Sequence, residues 1–140
     1  KSGYSGKCGL FDLSDGNQLI DFRYDDITLL GFNRALGKDG SRRYLLDTST
    51  GDVIASLPPN IGAAHFNETP VTWIFRAKSY YGIIDEEGNI LYEDAKDPLT
   101  GVTTFRHGFS GGQKDNKKWG ILKSDGTWLV HPAYDYIKLL

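Results

Sequence analysis

Four times along this chain an apolar run stops at a polar, glycine-containing cluster and restarts as a second apolar run. Leu10-Phe11-Asp12-Leu13 leads through Ser14-Asp15-Gly16-Asn17 to Gln18-Leu19-Ile20. Tyr44-Leu45-Leu46-Asp47 leads through Thr48-Ser49-Thr50-Gly51-Asp52 to Val53-Ile54-Ala55. Gly82-Ile83-Ile84-Asp85 leads through Glu86-Glu87-Gly88-Asn89 to Ile90-Leu91-Tyr92. Gly120-Ile121-Leu122-Lys123 leads through Ser124-Asp125-Gly126 to Thr127-Trp128-Leu129-Val130. Each reads as strand, tight turn, strand. Glycine supplies the positive φ of such turns, and Asp or Asn beside it tolerates the left-handed region.

Aligned on Asp12, Asp47, Asp85 and Lys123, successive copies lie 35, 38 and 38 residues apart. A second register agrees. Tyr24-Asp25-Asp26-Ile27-Thr28-Leu29-Leu30 returns 110 residues later as Tyr134-Asp135-Tyr136-Ile137-Lys138-Leu139-Leu140. A period of about 37 residues marks tandem units that cannot bury their apolar faces alone. Between the hairpins, segments 27–30, 71–77 and 102–105 are rich in strand formers and hold no sustained helical periodicity. The expected fold is all-β and antiparallel. It has a partial repeat over 1–23, repeats over 24–60, 61–97 and 98–133, and a closing strand over 134–140. A single domain is expected, because Leu57-Pro58-Pro59-Asn60 interrupts pairing but is too short to separate two. The closing strand beside the first hairpin would complete a small propeller-like or barrel-like ring; the rival arrangement is an open array.

Composition narrows the function classes. With 16 basic against 18 acidic residues the net charge is -2, so no field draws the chain to nucleic acid or an anionic membrane. No apolar run approaches the roughly 18 residues of a membrane-spanning helix, and residues 1–6 carry no apolar core of a signal peptide. The single cysteine, Cys8, rules out an internal disulfide and any zinc site that needs two or more cysteines. That cysteine count fits a reducing compartment.

The fourth copy reads Lys117-Lys118-Trp119-Gly120-Ile121-Leu122-Lys123-Ser124-Asp125-Gly126 and closes on Tyr134-Asp135. This resembles the WG (or KWG) repeat, a bacterial tandem module with a Lys-Trp-Gly strand, an acidic-Gly turn and a Tyr-Asp-like segment. The third copy has Tyr80-Tyr81-Gly82 in place of Lys-Trp-Gly, and the first keeps Lys7 and Gly9 around Cys8. The second departs further, with Arg43-Tyr44-Leu45 and no glycine. Cys8 falls in the slot of Trp119 and reads as a small buried group rather than a reactive thiol. The resemblance implies a β-rich repeat fold with binding or scaffolding roles, and it carries no catalytic residue. It also favours the bacterial cytoplasm.

Several residues invite chemistry. Gly108-Phe109-Ser110-Gly111-Gly112 spells G-x-S-x-G, the serine elbow of a hydrolase, which needs a helix directly after it. The next residues are instead Gln113-Lys114-Asp115-Asn116-Lys117-Lys118 and then a strand, so Gly108, Gly111 and Gly112 read as another turn. A hydrolase using Ser110 would require His107 or His131 beside it. His65, His107 and His131 lie at unequal repeat positions without the short spacing of metal ligands. The acidic groups at Asp85-Glu86-Glu87 are explained by the turn. The reading reached is a non-enzymatic module that binds another protein, with no cofactor, metal, nucleic acid or membrane. A bacterial inhibitor or immunity protein acting on a toxin or enzyme is its narrower form. Candidate contact residues are Arg42, Arg43, Asn67, Glu68, Lys114, Asp115 and Lys117. The alternative, carbohydrate or cell-wall binding, requires exposed faces on Trp73 and Trp128.

Overall fold

Every regular element among residues 6–67 and 70–140, which the computed structural model describes, is a β-strand. The chain groups into two units, Lys1–Ile61 and Gly62–Leu140. The boundary lies directly after Leu57-Pro58-Pro59-Asn60. The sequence reads that loop as too short to divide the chain. Two adjacent prolines donate no backbone N–H, so the strand before them ends and the next strand opens a new sheet.

In the first unit β1 (Cys8–Phe11) pairs antiparallel with β2 (Gln18–Tyr24) as a two-stranded sheet. Then β3 (Asp26–Gly31), β4 (Arg34–Asp39), β5 (Arg42–Asp47) and β6 (Val53–Leu57) form a four-stranded antiparallel meander in chain order. Ile20, Tyr24, Ala35 and Leu46 make its buried cluster, flanked by Leu10, Leu19, Ile27 and Tyr44. The second unit holds two more such meanders. One comprises β7 (Gly62–Ala63), β8 (Val71–Arg76), β9 (Ser79–Asp85) and β10 (Ile90–Glu93). The other comprises β11 (Gly101–Val102), β12 (Phe109–Gln113), β13 (Trp119–Lys123) and β14 (Trp128–Tyr134). Val71, Trp73, Ile83, Leu99, Phe105 and Leu122 form the core of this unit.

The hairpin turns are built as the residues dictate. Asp12 and Asp47 open turns in which their backbone N–H groups donate to the carbonyls of Asn17 and Asp52, each at 2.9 Å. Their carboxylates accept both the amide and the hydroxyl of Ser14 and Ser49. The later turns are one residue shorter, with Asp85 donating to Asn89 and Lys123 to Thr127. In the last, Asp125 takes over the carboxylate role toward Thr127. The serine and threonine hydroxyls hold the carboxyls of Asp12, Asp47 and Asp125 below the usual Asp range.

Gly51 and Gly126 show why glycine occupies these turns. Both have positive φ, 83° and 89°. A Cβ on them would fall 1.7 Å from the carbonyl oxygen of Leu19 and 1.9 Å from that of Leu91. Each turn therefore rests directly on the last strand of the hairpin before it.

Two expectations are corrected. The closing strand over 134–140 does not form: β14 ends at Tyr134, and residues 135–140 join no sheet. Ile137 turns back instead, its Cδ1 3.0 Å from where a Gly111 Cβ would lie. Among the described residues the sheets are open, and no barrel closes. Second, Gly111 and Gly112 are strand rather than turn, for they lie inside β12 and only Gly108 has positive φ. Both are buried, and a Cβ on Gly112 would meet the Leu99 Cδ1 at 2.9 Å.

Candidate functional site

The first strands of the two sheets in the second unit are only two residues long. Past them, segments 64–67 and 103–106 leave the named strands, keeping only single backbone bonds such as Ala64 N–H to the Trp73 carbonyl and Thr103 N–H to the Gly111 carbonyl, and border a cleft. Its buried floor is Trp73 and Phe105, whose rings stack at 5.6 Å, with Tyr80 edge-on to Trp73 at 6.4 Å. Val71, Thr72 and Val102 complete the lining, and His65, Asn67, Thr103 and Thr104 form its rim. The enclosed part measures about 170 Å³. It adjoins a shallower depression over His65, Phe66, Asn67, Thr104, Phe105 and Arg106.

Two buried hydroxyls hold the cleft walls. Thr72 Oγ1 donates to the Ala64 carbonyl at 2.8 Å. Ser110 Oγ donates to the Thr103 carbonyl at 2.5 Å and accepts the Trp73 indole N–H at 3.2 Å. Ser110 is fully buried, and among the described residues no histidine is a partner of its hydroxyl. The G-x-S-x-G serine is thus a packing residue whose donor and acceptor capacity is taken up. The Trp73–Ser110 bond is not foreseen from sequence. It joins β8 to β12 across 37 residues of sequence.

The sequence-derived contact residues are dispersed. Arg42 is exposed in the first unit. Arg43 straps backbone, donating from Nε to the Ile61 carbonyl at 2.9 Å and from Nη1 to the Gly40 carbonyl at 2.8 Å. Asn67 is exposed on the cleft rim, and Glu68 lies outside the described residues. Lys114 is engaged internally, with Nζ 3.2 Å from Asp94, 3.3 Å from Asp97 and 2.5 Å from the Asp97 carbonyl. Burial alone would lower its pKa, but Tyr92 and the two carboxylates outweigh that and raise it. The Asp94 carboxyl is lowered, first by the Asp97 amide and then by Lys114. Asp115 and Lys117 are exposed in the same turn, where Lys117 has φ 66°. Only Asn67 therefore joins the cleft.

The other candidates are also placed. His65, His107 and His131 are all exposed, with His107 at a tight turn (φ 52°). Among the described residues no group of three or more His, Cys, Asp or Glu is arranged to hold a metal ion. Trp73 is 2% exposed and offers no open face. Trp128 is half-buried, edge-on to Tyr92 and near-parallel to His131. Cys8 is half-buried rather than buried, its sulfur 3.5 Å from the Asp25 carbonyl. Gly120 comes after the Trp119 ring on β13, and a Cβ there would fall 2.4 Å from the Val130 carbonyl. The aromatic-Gly pair is thus a close backbone approach beside a large ring.

Comparison with known proteins adds three findings. No curated protein matches the chain. A crystal structure of a computationally designed protein, Ika8, is similar with a TM-score of 0.54 at 12% identity, over 92% of this chain and 45% of that one. The chain thus spans less than half of that protein's length, and the likeness is one of fold. The model of the WG-containing repeat matches residues 119–139. Those residues start at the Trp119-Gly120 pair, run through the Asp125-Gly126 turn and include Tyr134-Asp135. The likeness to the WG-containing repeat thus covers this one segment, within a chain whose regular elements among the described residues are all β-strands.

Proposed function

We propose that the chain is a scaffold of about four WG-like units near 37 residues each, and that it binds another protein without catalysing a reaction. The three meanders begin and end within residues 26–57, 62–93 and 101–134, which supports the repeat phase read from sequence. The observation that carries the binding reading is the cleft over Trp73 and Phe105. Its enclosed volume of about 170 Å³ lies below the roughly 300–1,000 Å³ of small-molecule sites. It suits one apolar side chain of a partner. An apolar, well-packed floor inside a polar rim is the anatomy of a protein-binding anchor point. Burial of Trp73 argues against sugar stacking, and the engaged Ser110 hydroxyl argues against hydrolysis.

An inhibitor or immunity role is the narrower form of this reading. Photo-crosslinking tests both. A benzophenone side chain at Thr104 on the rim is compared with one at exposed Thr127, in cells of the source organism. A single protein captured from Thr104 and not from Thr127 is the expected result. Its identification as a toxin or enzyme supports the narrower form. Equal capture, or none, from both positions overturns the cleft as the binding site.

A further inference from the structure

The four-stranded sheets share a cation at one register position. Gly82 and Gly120 of the aromatic-Gly pairs face Ile74 and Gly112 across the ladder, and two residues past those partners stand Arg76 and Lys114. In the first unit Leu45 takes the place of the glycine and faces Leu36, and two residues past it stands Lys38. Lys38, Arg76 and Lys114 follow one another at steps of 38 residues. Two of the three have carboxylates from the chain itself. Lys38 Nζ lies 3.7 Å from Asp26, and Lys114 Nζ lies 3.2 Å from Asp94 and 3.3 Å from Asp97. Among the described residues Arg76 makes no ion pair. Its guanidinium lies over the Tyr81 ring instead, 5.0 Å from the centroid.

Beside this cation the chain leaves a pocket. Arg76, Ser79, Tyr81, Ala95 and Pro98 line it, and it encloses about 80 Å³. Its wall is built and braced. Residues 94–99 arch from Tyr81 back to Tyr80: the Asp94 N–H donates to the Tyr81 carbonyl at 2.8 Å, and Leu99 and Tyr80 exchange both backbone bonds at 2.7 Å. The Asp97 N–H donates to the Asp94 carboxylate at 2.9 Å inside the arch. Tyr81 is 4% exposed, and its hydroxyl is buried with no hydrogen-bond partner among the described residues. Burial pushes the phenol pKa up, so at neutral pH the hydroxyl keeps its proton and is a donor. A buried donor without an acceptor is rare and costly, and it marks a place where an acceptor belongs.

We infer that this pocket is a carboxylate-binding site, in which the Arg76 guanidinium and the Tyr81 hydroxyl both donate to one bound carboxylate group. The neighbouring sheets give the same cation a carboxylate of their own, and here that place is open. Donors alone converge from Arg76, and charge-assisted bonds from a guanidinium to a carboxylate are among the strong ones. The volume is far below the roughly 300–1,000 Å³ of small-molecule sites, so it receives a head group and not a whole ligand. One guanidinium balances one negative charge, and the nearby Glu93, whose charge acts on the Tyr81 phenol, disfavours a doubly charged phosphate. The pocket shares no lining residue with the cleft, and the inference does not rest on it.

The test is a titration of the full chain with sodium acetate, against sodium chloride at equal ionic strength and neutral pH, read by amide chemical shifts. Saturable shifts are expected in residues 76–81 and 94–99. Tyr81→Phe and Arg76→Gln are each expected to weaken binding about tenfold or more. Lys78→Gln, exposed in the turn beside the pocket but not lining it, is expected to bind as the wild type does. Thermal melts in chloride check the orphaned hydroxyl: Tyr81→Phe is expected to melt no lower than wild type, since it removes a donor that lacks an acceptor. An absent or non-saturating response to acetate overturns the proposal. So does a Tyr81→Phe chain that binds like wild type or melts lower in chloride, or a Lys78→Gln chain that loses as much as Arg76→Gln. The N-acetylated α-amide of glutamate separates the two sources of the carboxylate. Binding tighter than acetate supports a side chain of another protein, and equal or weaker binding supports a free small carboxylate. Crosslinks from Thr104 depend on neither result.

Discussion

The opening strands of the sheets differ between the two units. In the first, β3 runs six residues and pairs with β4 from Asp26↔Lys38 to Gly31↔Arg34. In the second, β7 and β11 each pair over two residues. The slot beside them differs accordingly. Ala35, Thr72 and Ser110 all sit on the second strand of their sheets, paired across to Leu46, Ile84 and Leu122. All three are buried, but only Thr72 and Ser110 carry a hydroxyl. Those hydroxyls bond the Ala64 and Thr103 carbonyls just where the strand ladder stops. Each buried hydroxyl thus reinforces the last backbone bonds, Ala64 N–H to the Trp73 carbonyl and Thr103 N–H to the Gly111 carbonyl, just before the residues that wall the cleft.

Ser110→Ala should break this comparison hardest. It leaves the Trp73 indole N–H and the Thr103 carbonyl without Ser110, at a cost of about 3 kcal/mol for the two buried groups. Urea unfolding measures it, and a loss under about 0.5 kcal/mol would show that the hydroxyl does not hold the wall. The reverse exchange, Ala35→Ser, places a hydroxyl in a slot whose neighbouring strand is already paired. It should destabilise by about 2 kcal/mol, and a neutral result would erase the distinction between the units. Thr72→Val should cost about 1 kcal/mol, with faster amide exchange confined to segment 64–67.

The smallest effect probes a feature that the units share. The Asp47 carboxyl is held below its ordinary value of 3.8 by Ser49. A depressed folded-state pKa adds stability that is full above the ordinary value and is lost as pH falls through the folded value. Ser49→Ala should therefore cost about 0.5 kcal/mol at neutral pH. The gap from wild type should close near pH 2, as read from urea midpoints at both pH values. Thr127→Val should show the same sign through Asp125 in the other unit. A gap that widens in acid would mean the turn carboxylates do not act this way.

The hairpins were legible because each writes its own turn: Asp or Asn close to a glycine, with a serine or threonine between the strands in all but the third. Antiparallel pairing across such turns is local, so β-type and order come with it. The limits of β7 and β11 were not legible, because the hydroxyls that brace the chain just past them lie eight and seven residues away. The cleft was missed for the same reason, apart from Asn67. Arg43 and Lys114 look like free cations in sequence. Their partners, the Ile61 carbonyl and Asp94 with Asp97, stand 18, 20 and 17 residues off and become neighbours only after folding. The division at Ile61 was hidden by the brevity of the proline loop.

The seating of Gly51 on Leu19 and of Gly126 on Leu91 acts as a length gauge. A hairpin arm longer by two residues would drive its tip past the carbonyl it must touch, and a shorter one would leave a gap. Cargo grafted onto this scaffold therefore has to leave the hairpin arms at their measure.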